Sequence, residues 1–207
     1  MVGCMKNASP PRSERTRQLI IETAAPIFNK KGYVGTSMSD LTTATGLTKG
    51  SIYGNFKDKN DVAMHAFQHN IGLIFDFFTK EINSAATTLD KLLAYPRGVR
   101  KIYRMVLAYG GCPILNTSVE ADDTHVALRR MAVDALSRWK ARIVDLITCG
   151  IAEGVIDPTV DAPKTAEILI ALLEGGIALS KVTGEASYLL NAIDMAEKQV
   201  VGLRLGQ

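Results

Sequence analysis

Residues 46–59 read Gly-Leu-Thr-Lys-Gly-Ser-Ile-Tyr-Gly-Asn-Phe-Lys-Asp-Lys. Ile52 and Phe56 stand four apart, so on a helix both face one side, together with Leu47 and the upstream Leu41. The spacing predicts a short helix over residues 49–56, opened by Thr48 as N-cap. Gly50 and Gly54 fall on its opposite side, each costing ~1 kcal/mol of helix propensity relative to alanine. A helix this short is unstable alone in water, so two such residues need a reason outside the helix itself.

Working outward, Thr36-Ser37-Met38-Ser39-Asp40 offers a helix start, with Ser37 as N-cap and Asp40 completing a capping box. Gly46 stops that helix after about two turns. Asp58 and Asp61 can cap a third helix that runs on through Val62, Phe67, Ile71, Ile74, Phe75 and Phe78. Upstream, Leu19/Ile20, Thr23/Ala24 and Ile27/Phe28 form one apolar stripe over residues 13–31, with Pro26 inside it and Gly32 after its end. Two short helices clamped between longer ones make a helix-turn-helix over about residues 37–56.

The helix expected at 49–56 leaves Lys49, Gly50, Ser51, Tyr53, Gly54 and Asn55 outside. A lysine, a serine, a tyrosine and an asparagine suit hydrogen bonding to phosphates and base edges, and asparagine can pair bidentately with adenine. The plain alternative is a polar surface turn. Charge favours DNA: residues 1–60 hold nine Lys/Arg against four Asp/Glu, whereas residues 61–207 hold fifteen against seventeen. A basic first part on a nearly neutral body fits a polyanionic partner.

Thr36, Ser37, Leu41, Ala44, Gly46, Leu47, Thr48, Gly50, Ile52-Tyr53, Phe56-Lys57 and Lys59, with Ile27-Phe28 and Gly32-Tyr33 upstream, resemble the DNA-binding domain of the tetracycline-repressor (TetR) family. The likeness covers residues 15–65. It implies a homodimeric, non-enzymatic regulator that binds double-stranded operator DNA and answers to a small-molecule effector. It implies DNA contacts from Thr48, Lys49, Gly50, Ser51, Tyr53 and Asn55, with Thr36 and Lys59 on phosphates. Gly54, where the family often carries a larger residue, and Asn55, often histidine or tyrosine, depart from the pattern. The operator sequence therefore cannot be borrowed from the family.

No run of period-two alternation appears, and the rest of the chain reads as helices over 88–109, 113–121, 124–154, 162–182 and 186–204. The expected fold is all-α: a loose arm at 1–12, a three-helix DNA-binding domain at 13–60, and a helical ligand-binding and dimerisation domain at 61–207. Within 162–182, the run from Ile168 to Leu179 is apolar nearly all round, and Leu189-Leu190, Ile193, Ala196, Val200 and Leu203 stripe the last helix. These two helices resemble the family's dimer interface, although core packing within one chain would give the same pattern.

An effector pocket would draw on the larger side chains Phe75, Phe78, Tyr103, Leu107, Tyr109, Met131 and Trp139, each of which could equally be core. Glu174 inside its apolar run needs a partner, whether a cationic ligand, a residue across a dimer or solvent. Cys112 precedes Pro113 at a helix start, where the dipole lowers a thiol pKa, so it is a candidate sensor of electrophiles or oxidants; a buried small hydrophobe is the plain reading. Some family members keep a Gly-Cys pair there, and a few of those sense reactive compounds.

Cys4, Cys112 and Cys149 are too scattered for a disulfide framework or a zinc site. His65 and His69 have metal-ligand spacing without supporting ligands, so neither metal nor cofactor is expected. There is no Ser/His/Asp set and no phosphate loop; an all-α carrier or enzyme that has lost DNA binding remains the alternative. No apolar run reaches the ~20 residues of a membrane span, and the first residues lack a signal-type core, which makes the cytoplasm the expected compartment.

Overall fold

A computed structural model of the chain describes residues 11–206. The arm expected at 1–12 and Cys4 lie almost wholly outside the described residues. The described chain is helical throughout, with a single isolated antiparallel bridge between Ile156 and Arg204. It divides into two compact units, one ending at His69 and the other beginning at Asn70, inside a long helix rather than at that helix's start.

The first unit holds α1 (Arg12–Lys31), α2 (Met38–Thr45), α3 (Lys49–Tyr53) and the beginning of α4 (Lys59–Asn83). Local chemistry sets each boundary. Gly32 ends α1 at a φ of 75°, its N–H donating to the Phe28 carbonyl at 2.8 Å. Ser37 and Asp40 form the reciprocal capping box of α2: the Asp40 N–H donates to Ser37 Oγ at 3.1 Å and the Ser37 N–H to Asp40 Oδ2 at 2.8 Å. Gly46 closes α2 in the left-handed region at a φ of 68°, a conformation that a Cβ would strain. Thr48 Oγ1 accepts from the Ser51 N–H at 3.1 Å, opening α3. At α4 the Asp61 N–H donates to Asp58 Oδ1 at 2.9 Å, and the Asp61 carboxylate accepts from the Lys57 N–H at 3.0 Å, so the two aspartates together satisfy donors at the helix start.

Ile20, Ala24, Ala25, Leu41, Ile52, Phe56, Val62 and Ala66 form the core of this unit. The α1 stripe is rotated from the expected one, because Leu19 is exposed and Ala25 is buried instead. The helix runs on through Pro26, whose ring nitrogen gives the Glu22 carbonyl no hydrogen. The helix expected over 49–56 is also shorter than the spacing predicts. It ends at Tyr53, with Gly54 as C-cap at a φ of −71°, so Asn55 and Phe56 follow it rather than belong to it.

The second unit holds the rest of α4 with α5 (Thr88–Ala108), α6 (Pro113–Ala121), α7 (Val126–Ala152), α8 (Ala162–Thr183) and α9 (Ser187–Val201). Side-chain oxygens of Thr87 and Asp161 cap α5 and α8, and Pro113 takes the first position of α6. Packing joins α8 to α9, α5 to α9, α7 and α8, and α6 to α7. Gly176 makes the first of these contacts possible: a Cβ there would stand 2.8 Å from the Ala192 Cβ and 3.0 Å from the Leu189 backbone. The buried Ser180 Oγ accepts from the Leu189 N–H at 3.0 Å, fixing the register of the pair. Arg100 reaches from α5 to Asp194 at 2.5 Å and Glu197 at 3.0 Å, but at exposed positions such pairs contribute little.

Gly176→Ala forces a methyl into that contact and is expected to lower unfolding stability by ~1–3 kcal/mol. Urea denaturation monitored by circular dichroism measures it. Gly175→Ala is the control, since no atom lies within 4 Å of a Cβ built there.

Candidate functional site

The outer face of the first unit is built on α3. Ile52 is fully buried and turns Lys49, Gly50 and Tyr53 outward, with Lys49 Nζ 5.7 Å over the Tyr53 ring. Thr48 is exposed while its Oγ1 caps the helix, and Ser51 is half-buried. At Gly50 an added Cβ would meet only Thr48 Oγ1, 3.9 Å away; at Gly54 it would lie 3.4 Å from the Gly50 carbonyl, an ordinary contact. Neither glycine has a positive φ. Nothing within the fold requires their lack of side chains.

The other residues expected on DNA are occupied internally. Asn55 Nδ2 donates to the Ser51 carbonyl at 2.9 Å and closes the end of α3, so this amide is not held out toward bases. Its own carbonyl accepts a short hydrogen bond from Arg17 Nη1. Thr36 is fully buried, and its hydroxyl donates to the Gly32 carbonyl at 2.6 Å, which leaves no exposed hydroxyl for a phosphate. Lys59 Nζ donates to the carbonyls of Tyr33 at 2.8 Å and Thr36 at 2.9 Å and lies 4.1 Å over the Tyr33 ring. It ties the α1–α2 connection to the start of α4.

Arg17 is a residue that the sequence reading missed. Besides the Asn55 carbonyl it contacts His65 Nε2 at 2.7 Å and covers the Phe56 ring at 4.2 Å. His65 in turn contacts the Asp61 carbonyl at 2.8 Å through Nδ1. Both ring nitrogens of His65 are thereby engaged within the first unit. No group of three or more potential metal ligands occurs among the described residues.

The second unit holds a partly open cavity of about 270 Å³. Phe75, Phe78, Cys112, Trp139 and Glu174 line it, as expected; Tyr103, Leu107, Tyr109 and Met131 do not. Tyr109 is exposed, and the Tyr103 hydroxyl accepts from Arg104. The wall also includes Tyr95, Val99, Ile102 and Val106 of α5, Arg138 and Arg142 of α7, and Leu173 and Ile177 of α8. Phe78 stacks on Tyr95 at 5.4 Å between centroids, and Tyr95 lies 6.4 Å from Trp139. Apolar periodicity marks these α5 residues as inward but does not say that they border a void.

Three of the lining residues carry buried polar atoms left over by the fold. The Tyr95 hydroxyl, Trp139 Nε1 and both Glu174 carboxylate oxygens are buried without a hydrogen-bond partner among the described residues. Burial pushes the Glu174 carboxyl up to about 7. The Cys112 expectation is corrected here. Its thiol sits at the start of α6, yet burial and then the negative charge of Glu174 push its pKa well above the ordinary 9.0. A helix terminus stabilises an anion by up to ~2 kcal/mol; losing water outweighs that, so Cys112 is not a pre-formed thiolate. The exposed Cys149 is also raised, by its hydrogen bond to Glu153 at 3.2 Å.

Two family profiles match the chain: "Tetracyclin repressor-like, C-terminal domain" over residues 88–196 and "Bacterial regulatory proteins, tetR family" over residues 20–65. The chain belongs to the TetR family. A TetR-family regulator from Cytophaga hutchinsonii superposes with a TM-score of 0.90 at 41% identity, covering 97% of this chain and 100% of that one. One from Chloroflexus aurantiacus gives 0.86 at 33% identity, covering 93% and 98%. The "HTH-type transcriptional repressor DhaR" of Mycobacterium sp. (strain GP1) is 26% identical over 172 residues, 80% of this chain and 82% of the relative. This TetR-family chain is therefore a DNA-binding transcriptional regulator with a ligand-binding C-terminal domain, in a family of regulators rather than enzymes. Among the described residues no helix is long and apolar enough to cross a membrane.

Glu174 makes a prediction about pH. Its folded-state pKa is raised from 4.5 to about 7, so the neutral carboxyl stabilises the fold below about pH 4.5 and that contribution is lost as pH rises through about 7. Glu174→Gln removes the dependence. The stability of the variant relative to the wild type should grow by about 3 kcal/mol between about pH 4.5 and pH 8. Urea titrations of both proteins across that range measure it.

Proposed function

We propose that the chain acts as a homodimeric repressor that holds a palindromic operator and releases it when a small molecule fills the cavity of the second unit. Gly50 and Gly54 carry this reading: two glycines on the open side of α3, with no positive φ and no packing need. A bare helix side that the fold does not use lets the backbone approach another surface closely. The neighbouring Lys49, Ser51, Tyr53 and Thr48 supply cationic and hydroxyl groups for phosphates and base edges. Arg17, Lys59, Thr36 and Asn55 act behind them, holding α3 in place.

The dimer reading rests on α8 and α9. Their mutual packing leaves Leu179, Val182 and Met195 more than half exposed, an apolar surface of the kind that marks an interface. Two copies of α3 must then match half-sites about 34–36 Å apart or a multiple of that. A ligand that favours one separation over the other shifts the operator equilibrium by its differential affinity for the two states. Residues of α4 serve both units, since Val62 and Ala66 complete the first core while Phe75 and Phe78 line the cavity. The repressor designation of the DhaR relative supports the sign of control. The cytoplasm is where such a protein meets its operator and effector.

Fluorescence anisotropy on duplexes covering the DNA that flanks its own gene tests the reading. The expected result is salt-sensitive, sequence-preferring binding, with Lys49→Ala and Tyr53→Ala each weakening it at least about tenfold while the dimer elutes unchanged from size exclusion. Lys59→Ala is a poorer probe, because it also removes an internal tie. A second expectation concerns the glycines. Gly50→Ala should raise stability by ~0.5–1 kcal/mol and weaken the operator complex; unchanged binding would remove the close-approach account.

A further inference from the structure

We propose that the cavity takes a small amine: a protonated nitrogen bearing at least one N–H, seated against Glu174, on an apolar body that carries an oxygen acceptor. The inference deepens the reading that this cavity holds the effector, and rests on it.

The polar groups of the cavity set the requirement. Both Glu174 oxygens are buried with no hydrogen-bonding cation on them among the described residues, the neutral Cys112 thiol being their neighbour, in a largely apolar wall whose other polar members are Asp76, Thr79, Arg138 and Arg142. A buried carboxylate is costly unless a hydrogen-bonding cation meets it. Among the described residues no side chain supplies that cation: of the two arginines in the wall, Arg138 lies 4.6 Å over the Phe75 ring and Arg142 donates to Thr79 Oγ1 at 3.3 Å. The aromatic residues that line the same cavity offer a second attraction for an ammonium group.

Trp139 Nε1 is a donor only, and among the described residues neither it nor the Tyr95 hydroxyl has a hydrogen-bond partner. An oxygen on the ligand body answers both. An acid would set its charge against Glu174, and a neutral alcohol or ketone would leave the carboxylate uncompensated.

The proton balance gives the amine a signature. The titratable and charged groups bordering Glu174's cavity are Cys112 at the start of α6, Tyr95 on α5, Arg138 and Arg142 on α7, and Asp76 on α4. Burial keeps the Cys112 thiol and the Tyr95 phenol neutral. Glu174, poised at about 7, is the group that an ammonium partner converts fully to the ionised form. Amine binding then releases a proton and tightens as pH rises through about 7. A ligand that accepts a hydrogen bond from the neutral carboxyl behaves in the opposite way.

Isothermal titration calorimetry on the full-length protein without DNA tests this with four probes: tyramine, phenethylamine lacking the oxygen, tyrosol with a hydroxyl for the amine, and phloretic acid. Tyramine is expected to bind at least about tenfold tighter than tyrosol, to release protons in buffers of different ionisation enthalpy, and to gain affinity from about pH 6 to about pH 8. Glu174→Gln should erase the advantage over tyrosol while leaving tyrosol binding unchanged, which also shows that the variant is folded. Tyrosol or phloretic acid binding as tightly as tyramine overturns the proposal. So does tyramine indifferent to Glu174→Gln, or no tyramine binding in the millimolar range. Operator release is read separately by anisotropy. Tyramine that binds through Glu174 without releasing the operator supports the amine and overturns the effector role; release by phloretic acid or tyrosol alone overturns the amine and leaves the regulator reading standing.

Discussion

A helix of five residues has too few internal hydrogen bonds to hold its own shape, and the first unit is organised around that constraint. Ile52 anchors α3 in the core, Thr48 caps its start, and the Asn55 amide closes its end. Arg17 then ties the Asn55 carbonyl, the Phe56 ring and His65 together, so that α1, the end of α3 and α4 share one cation. Fixing the helix from behind leaves its outer side free of structural duty. Two glycines can stand there because neighbouring elements, not helix propensity, supply the stability.

The same logic assigns different work to residues that look alike in sequence. Lys49 and Lys59 are both cations at helix starts, yet Lys49 is exposed and Lys59 spends its ammonium on two backbone carbonyls. A lysine in the second position gives up hydration for fixed acceptors and a ring face. Substituting it disturbs the connection between α1 and α2 before any phosphate is concerned.

Much of this was legible beforehand, and the division follows the range of the interactions. Caps and stops depend on residues three or four apart, so Ser37 with Asp40, Gly46, Thr48, and Asp58 with Asp61 could be read directly. Likewise, α6 begins at Pro113 and α8 at Ala162, where capping and proline chemistry place them. The end of α3 was misjudged because Ile52 and Phe56 keep helical spacing although Phe56 lies beyond the helix; its burial comes from tertiary packing. Arg17 was invisible because its contacts lie 38 and 48 residues away. Five cavity residues were found by size and chemistry, whereas Tyr95, Arg138 and Arg142 were missed, since no periodicity separates a residue beside a void from one in a filled core.

Cys112 and Glu174 show how two sound local rules interact once both residues border one cavity. A helix N-terminus favours a thiolate, and an acidic residue in an apolar run calls for a partner, whether a cationic ligand, a residue across a dimer or solvent. Burial reverses the first, and the carboxylate of the second adds to that reversal. The outcome is a cavity whose thiol stays neutral and whose carboxyl is poised near neutrality. Such a carboxyl lowers the stability of the empty protein at neutral pH, and a ligand that compensates it regains that cost on binding. Its place in the wall of a largely apolar cavity is therefore better explained by what enters the cavity than by the fold that surrounds it.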